Sequence, residues 1–361
     1  MLLLSSAIDM KEILLNNGVR EIHLPITFNS AAMAEREFKL AAKLLESAKA
    51  HVVSLEVSAG SFADFAAAKF CEGSQFPSNR ILPLVDAHFP VLAGAHITAV
   101  AGTLPKFARS ESGARSAFYS DGVFDYCRTF GVVSKVDNAL AYEHTLDNLR
   151  LLEKALEPFG FSYADIARTW FYNDDILSWY ADFNRARTDF YKERKIFDKL
   201  LPASTGIGAP NPSGAKIISG ALAVRKIGRG EVSDVNSPMQ CGAPNYGSSF
   251  ARAVEIESAA SSRVLVSGTA SIDFGGKTAH VGDIAKQVDL TMQVIEAILK
   301  ERAMTLSDTV RSVIYCLKPE YYAEFLRWEK RNGGIAHFPS YSIVCRDDLL
   351  FEVELEAAKN R

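Results

Sequence analysis

Residues 146–172 read LDNLRLLEKALEPFGFSYADIARTWFY, and residues 289–315 read DLTMQVIEAILKERAMTLSDTVRSVIY. Laid over one another at a constant offset of 143, the two agree in pattern and in several identities. Leu149 meets Met292, Leu152 meets Ile295, Glu153 meets Glu296 and Leu156 meets Leu299. After a polar break, Asp165 meets Asp308, Arg168 meets Arg311, Phe171 meets Ile314 and Tyr172 meets Tyr315. Apolar residues three and four apart predict a helix, and the short run after the break is β-prone. Each copy runs on into a second helical stretch: DDILSWYADFNRARTDFYKER in the first, and PEYYAEFLRWEKR, closed by Asn332-Gly333-Gly334, in the second. The predicted fold class is α+β: two tandem α/β units, each a mixed sheet with helices packed on one face.

Strand-like runs surround these helices at 92–101, 215–225, 263–272, 341–346 and 349–357. The segment LPASTGIGAPNPSG at 201–214 is rich in Pro, Gly, Ser and Thr, which marks a loop or a crossing between domains. The expected division is therefore an N-terminal domain over 1–200, without an evident site, and a C-terminal domain over 201–361 that carries one. The last run alternates Phe351, Val353 and Leu355 with Glu352, Glu354 and Glu356, giving a strand with one apolar and one acidic face.

At 361 residues the chain exceeds the usual size of one domain, in agreement with that division. A net charge of -3 supplies no general field for nucleic acid or an anionic membrane, so an anionic ligand must be held by a few placed cations. The start, MLLLSSAIDMKEILL, lacks a basic lead and is broken early by Asp9, Lys11 and Glu12, a poor signal peptide. No apolar run reaches membrane-spanning length. Five scattered cysteines, an odd number without a CxxC pair, suggest neither a disulfide framework nor a zinc knuckle. A cytoplasmic protein is expected, acting on a small molecule, as a monomer or a homo-oligomer. Walker, GxGxxG, HExxH, GxSxG and EF-hand patterns are absent and the histidines are dispersed, so no metal or cofactor is expected.

The segments FNRAR (183–187), LPASTGIG (201–208), SPMQ (237–240), YGSSFAR (246–252), SGTAS (267–271) and CRDDLLFEVE (345–354) resemble, in this order, the chorismatase family. The likeness covers roughly residues 165–356 and is weak before about residue 80. It departs at Ala251, where the family more often carries serine, and in a short loop IDFGGKTAHVGD. The resemblance implies two fused units of the enamine/imine deaminase-like fold, with one active site kept in the C-terminal half. It implies chorismate as substrate and pyruvate plus a ring carboxylic acid as products.

Releasing pyruvate requires protonating the terminal carbon of a vinyl ether. Carbon accepts protons slowly, so a positioned acid in a shielded site is needed, and a carboxylic acid whose pKa is raised by burial suits that task. By resemblance that acid is Glu352; by pattern alone it is one of three glutamates on the solvent side of an edge strand. Guanidinia match the substrate's two carboxylates, with Arg252 the first candidate and Arg187 the second. Tyr180, Tyr246 and Gln240 are candidates for holding ring hydroxyls or a carboxylate oxygen. The resemblance makes Cys345 a pocket wall that leans the product towards 3-hydroxybenzoate, against 4-hydroxybenzoate or a dihydroxycyclohexadiene carboxylate. Strand alternation would turn Arg346 away from Cys345 and into a surface salt bridge. The competing readings are a small-carboxylate-binding protein of the same fold and an enamine/imine deaminase.

Overall fold

The computed structural model describes residues 8–59, 83–84, 92–134, 136, 140–211, 213–243 and 247–361. The helical periodicities of the two copies form as predicted. Helix α1 spans Ala31–Ser47, α2 Ala141–Leu156, α3 Ile176–Glu193, α4 Ile284–Lys300 and α5 Pro319–Asn332. Asp283 caps α4 by accepting from the Lys286 amide, and the stripe Val288, Met292, Ile295 and Leu299 is fully buried.

The first sheet joins β1 (Lys11–Leu14), β2 (Arg20–Thr27), β3 (His51–Ala59), β4 (Pro83–Leu84) and β5 (Leu92–Ala101) in the order β1-β2-β5-β3-β4. The second joins β6 (Lys106–Arg109), β7 (Arg115–Ser120), β8 (Phe124–Val133), β9 (Ile166–Asn173), β10 (Ala203–Gly208) and β11 (Ile217–Lys226) in the order β10-β9-β11-β8-β7-β6. The third joins β12 (Gly230–Val235), β13 (Ala253–Ser258), β14 (Ser261–Ala270), β15 (Thr309–Cys316), β16 (Phe338–Tyr341) and β17 (Phe351–Asn360) in the order β12-β13-β14-β17-β15-β16. The second and third orders are one permutation. In both, the only parallel pair is the one bridged by a helix, β9 with β10 and β15 with β16. The first sheet repeats that permutation without its opening edge strand, with β3 and β4 as its parallel pair.

Two expectations change here. The chain holds a third, N-terminal copy of the unit, which the repeat in sequence did not reveal. The division near 200 also fails, because β10 and β11 complete the second sheet and the third begins at Gly230. The first half of the Pro/Gly-rich stretch is the edge strand β10 itself, and only the residues after Gly208 form a loop, inside the unit, leading to the central strand β11.

Each sheet turns one face to its own helices and the other to its fellow sheets. Val264, Val266, Ile314, Val353 and Leu355 pack under α4 and α5 in one core, while α2 and α3 cover the second sheet in another. The inner faces meet in a shared core that draws Val53 and Val100 from the first sheet, Trp170 and Leu222 from the second, and Leu265 and Val313 from the third.

That shared interior is also highly charged. Strand β17 is central in its sheet, so its acidic face points inward: Glu352 is 5% exposed, and Glu354 and Glu356 are fully buried. Arginines from the other strands meet them. Arg168 on β9 donates to Glu354 at 2.9 Å, and Arg263 on β14 donates to Glu356 and lies 3.1 Å from Glu21 of the first sheet. Arg128 on β8 reaches the same Glu21 at 2.8 Å. Burial of unpaired charges on this scale would be prohibitive, and Glu21, Glu354 and Glu356 each meet at least one arginine.

Candidate active site

A cleft of about 580 Å³ opens between the second and third units. Helix α3 supplies Tyr180, Phe183, Asn184 and Arg187, and β10 supplies Ser204 and Gly206. The third unit supplies Phe250, Arg252, Gly268, Cys345, Arg346 and Glu352. Five of the expected residues are thus brought together: Glu352, Arg252, Arg187, Tyr180 and Cys345.

The walls are stitched across the junction. The Ala251 amide donates to the Pro202 carbonyl at 3.0 Å, and the Ser204 amide to the Ser267 hydroxyl at 2.8 Å. Gly208 and Ile343 exchange backbone hydrogen bonds of 2.7 and 2.9 Å, which hold the 342–350 loop against β10.

Glu352 stands at the inner end. Strand β14 slips register between Val266 and Thr269, and the irregularity presents Gly268 to the Glu352 carboxyl. A Cβ built on Gly268 would lie 2.2 Å from Glu352 Oε1, so glycine here leaves the acid in its place and a side chain would displace it. Burial, then the carboxylate of Glu354, pushes the Glu352 pKa up to about 8, with Arg168 pulling the other way. Two residues along, burial alone would raise Glu354 too, but Arg311 and Arg168 overcome it and hold that carboxyl below its ordinary range. Two adjacent inward carboxyls therefore part company: one keeps its proton at neutral pH and the other does not.

Arg187 is 1% exposed and its guanidinium lies 4.9 Å from the Phe183 ring and 5.6 Å from Phe250. It donates to Asn184 Oδ1 at 2.8 Å and to Ser204 Oγ at 3.3 Å, and its Nε is buried without a partner. Among the described residues no carboxylate lies within ion-pair distance of it. Arg252 also lies against the Phe250 ring, at 5.7 Å, and gives Nε and Nη2 to the Cys241 carbonyl. Two guanidinia beside one aromatic ring, in the same cleft as a protonated acid, have the chemistry to hold a small dianionic molecule.

Cys345 is half-buried at the cleft wall and hydrogen-bonds Tyr180. Burial, then the neighbouring Glu352, pushes its thiol up to about 12, so it is a neutral group and not a nucleophile at ordinary pH. Gln240 does not line the cleft. Its amide donates at 3.0 Å to the carbonyls of both Ala270 and Ile272, bracing the end of β14 from behind. Tyr246 lies outside the described residues.

The expected strand over 341–346 is corrected. The strand is Phe338–Tyr341, and the chain then loops, so the alternation argument for Arg346 does not apply. Arg346 lines the cleft beside Cys345 and donates to the Gly276 carbonyl at 2.9 Å. Gly268, Ser204, Phe250 and Arg346 were not assigned to the site by the sequence. The SGTAS and LPASTGIG segments that hold Gly268 and Ser204 carry part of the family resemblance, but neither residue is given a role by it.

The fold and site define a tandem α/β protein with a cleft between two of its units that is lined by arginines and a buried glutamate. The chain is 31% identical over 245 residues to the 3-hydroxybenzoate synthase of Streptomyces hygroscopicus, a match covering 60% of this chain and 67% of that protein. It is 28% identical to a chorismatase of Streptomyces rapamycinicus over 53% of this chain and 64% of that one. A crystal structure of a chorismatase superposes with a TM-score of 0.62 at 20% identity, covering 85% of this chain and 93% of that chain. No family model matches. The chain belongs to the chorismatase family.

Proposed function

We propose that this protein converts chorismate to pyruvate and a ring acid, with Glu352 as the proton donor. The observation that carries the reading is the pairing of a buried, proton-retaining Glu352 with a buried Arg187 lacking an acidic partner, in one cleft. Arg187 and Arg252 hold the substrate carboxylates. Glu352 delivers its proton to the enolpyruvyl methylene, which becomes the methyl of pyruvate, and the oxocarbenium ion that forms faces the new carboxylate. Phe183 and Phe250 limit the water around that ion.

The fate of the ion sets the product. Capture by the neighbouring ring hydroxyl closes a cyclic ketal. Loss of the proton from the ether-bearing ring carbon, with cleavage of the captured hydroxyl's own ring C–O bond, aromatises the ring. The hemiketal left behind collapses to pyruvate and 3-hydroxybenzoate without consuming water. Capture by water leaves the dihydroxycyclohexadiene carboxylate and consumes one. A neutral Cys345 thiol tied to Tyr180 is a poor site for an attacking water, which favours 3-hydroxybenzoate.

The test is to mix the protein with chorismate, follow pyruvate by a coupled assay and chromatograph the ring product. Pyruvate with 3-hydroxybenzoate is expected. Turnover should hold at neutral pH and fall as pH rises through about 8, where the acid loses its proton. The absence of pyruvate above the spontaneous rate would overturn the reading and favour a binding role.

A further inference from the structure

Among the described residues the first unit contributes none that line the cleft, yet its strand β3 reaches to within one ion pair of the acid's neighbour. Glu56 on β3 is 2% exposed and accepts from Arg311 Nη2. Arg311 Nη1 in turn lies 2.6 Å from Glu354 Oε1, an ion contact without hydrogen-bond alignment, and 3.6 Å from Glu356 Oε1. One guanidinium is therefore divided among three carboxylates drawn from two units. Glu354 Oε2 is held separately by Arg168 at 2.9 Å, while Trp170 Nε1 donates to Oε1 at 3.0 Å.

We propose that Glu56 is a positioning residue for the proton donor: by sharing Arg311 with Glu354, it sets how much positive charge remains to offset the carboxylate next to Glu352. The inference rests on the reading of Glu352 as the acid. Its physical basis is that a buried guanidinium has a fixed charge and a limited number of well-aligned donors. What one carboxylate takes, another does not receive.

The other groups facing Glu352 do not compensate. Arg168 comes from β9 and is already committed to Glu354, Thr205 and the Val266 carbonyl. Cys345 and Arg346 face it from the loop after β16, and Arg187 and Arg252 from the cleft walls. Tyr315 on β15 pairs in register with Glu352 and stays neutral, since burial and then Glu354 raise its hydroxyl well above the usual range. Burial, against the pull of Arg311, leaves Glu56 itself raised, and Glu354 adds to that rise. Glu56 and Glu354 thus compete for one cation.

Replacing Glu56 by Gln removes a rival, turns Arg311 towards Glu354 and makes Glu352 easier to ionise. The alkaline limb of chorismate turnover should move to lower pH by about half a unit to one unit, a fraction of the shift that a directly adjacent charge produces. Glu354→Gln should move it further in the same direction. In the double variant Glu56→Gln/Glu354→Gln the effect of the first substitution should vanish, because its route runs through Glu354. Glu56→Asp withdraws the carboxylate from Arg311 by one methylene and should give a smaller shift of the same sign; it serves as the test if the Gln variant does not fold.

The same series is read without substrate by 13C NMR of the Glu352 carboxyl, assigned through Glu352→Gln. A moved titration with no pyruvate formed would sink the proposed reaction and leave this inference standing. A loss of turnover equal at every pH with the limb and titration unmoved, or a shift that survives undiminished in the double variant, would overturn the inference.

Discussion

Where the second unit meets the third, the edge strand β10 lays small residues, Ser204 and Gly206, along a cleft floored by Gly268 and Glu352. Where the third unit meets the first, the corresponding edge strand is β16, and it begins with Phe338. There Phe338 stacks on His96 of β5, with ring centroids 6.1 Å apart, and covers Gly94. A Cβ on Gly94 would lie 2.8 Å from the Phe338 Cβ. Both junctions place a glycine opposite the neighbouring unit. In one the space holds an acid and an entry for a ligand; in the other it holds a phenyl ring. Topology is therefore not what makes a site in this fold. The size of the residues on one edge strand, and a carboxyl placed against a glycine, decide it.

The largest expected effect comes from breaking the open junction chemically. Glu352→Gln should lower kcat for pyruvate release by about a thousandfold while chorismate binding, measured by titration calorimetry, stays within a few-fold. The same variant should be the more stable protein. Between the acid's ordinary value near 4.5 and its folded value of about 8, the unfolded chain gives up this proton and the folded one retains it. The native acid thus costs the fold more as pH rises through that window, and the gap in Tm between variant and native should widen up to pH 8.

Phe338→Ala attacks the filled junction. It should cost about 3–5 kcal/mol of stability in urea unfolding, yet leave pyruvate release per folded molecule nearly intact. A loss of turnover as deep as that of Glu352→Gln would mean the two junctions are not independent. Gly268→Ala tests the shared device of a glycine under a side chain. Its methyl must displace the Glu352 carboxyl, so kcat should fall by about tenfold to a hundredfold with KM little changed. The smallest effect on rate is expected for Cys345→Ala. Pyruvate should form within a few-fold of the native rate, while chromatography should find more of the water-captured diol in place of 3-hydroxybenzoate.

The second and third copies were legible because both carry long amphipathic helices and a strand with Arg and Tyr two turns of the pleat apart. The first copy was not. Its inner-face positions hold Glu21, His23, Glu56 and His96, which answer the arginines of the other units with different residue types, so no identity survives to be matched. Complementarity across a junction hides a repeat that symmetry would have shown. Glu352 was legible as an acid only through family likeness, since alternation with Phe351 and Val353 reads equally as a half-exposed edge strand. What settles that the acidic face of this strand turns inward is the pairing of its neighbour Glu354 with Arg168 and Arg311, which lie far away in sequence. Arg346 was misplaced because the alternation rule was carried past the end of the strand at Tyr341. Gln240 was placed in the site by its neighbours in sequence, although it braces the wall from outside.

The order in which the strands appear along the chain has a kinetic consequence. In every sheet the central partner is the last to be made: β5 enters between β2 and β3, β11 between β8 and β9, and β17 between β14 and β15. Until β17 arrives, β14 and β15 both present unpaired edges across everything from 271 to 350, and the acid does not yet exist as a buried group. Such non-local closure is slow, and the open edges are the segments through which the incomplete chain would associate with copies of itself. A nascent third unit is thus exposed for longest at β14, the strand that supplies Gly268 to the cleft, and at β15, and refolding yield should depend steeply on protein concentration until that last insertion is complete.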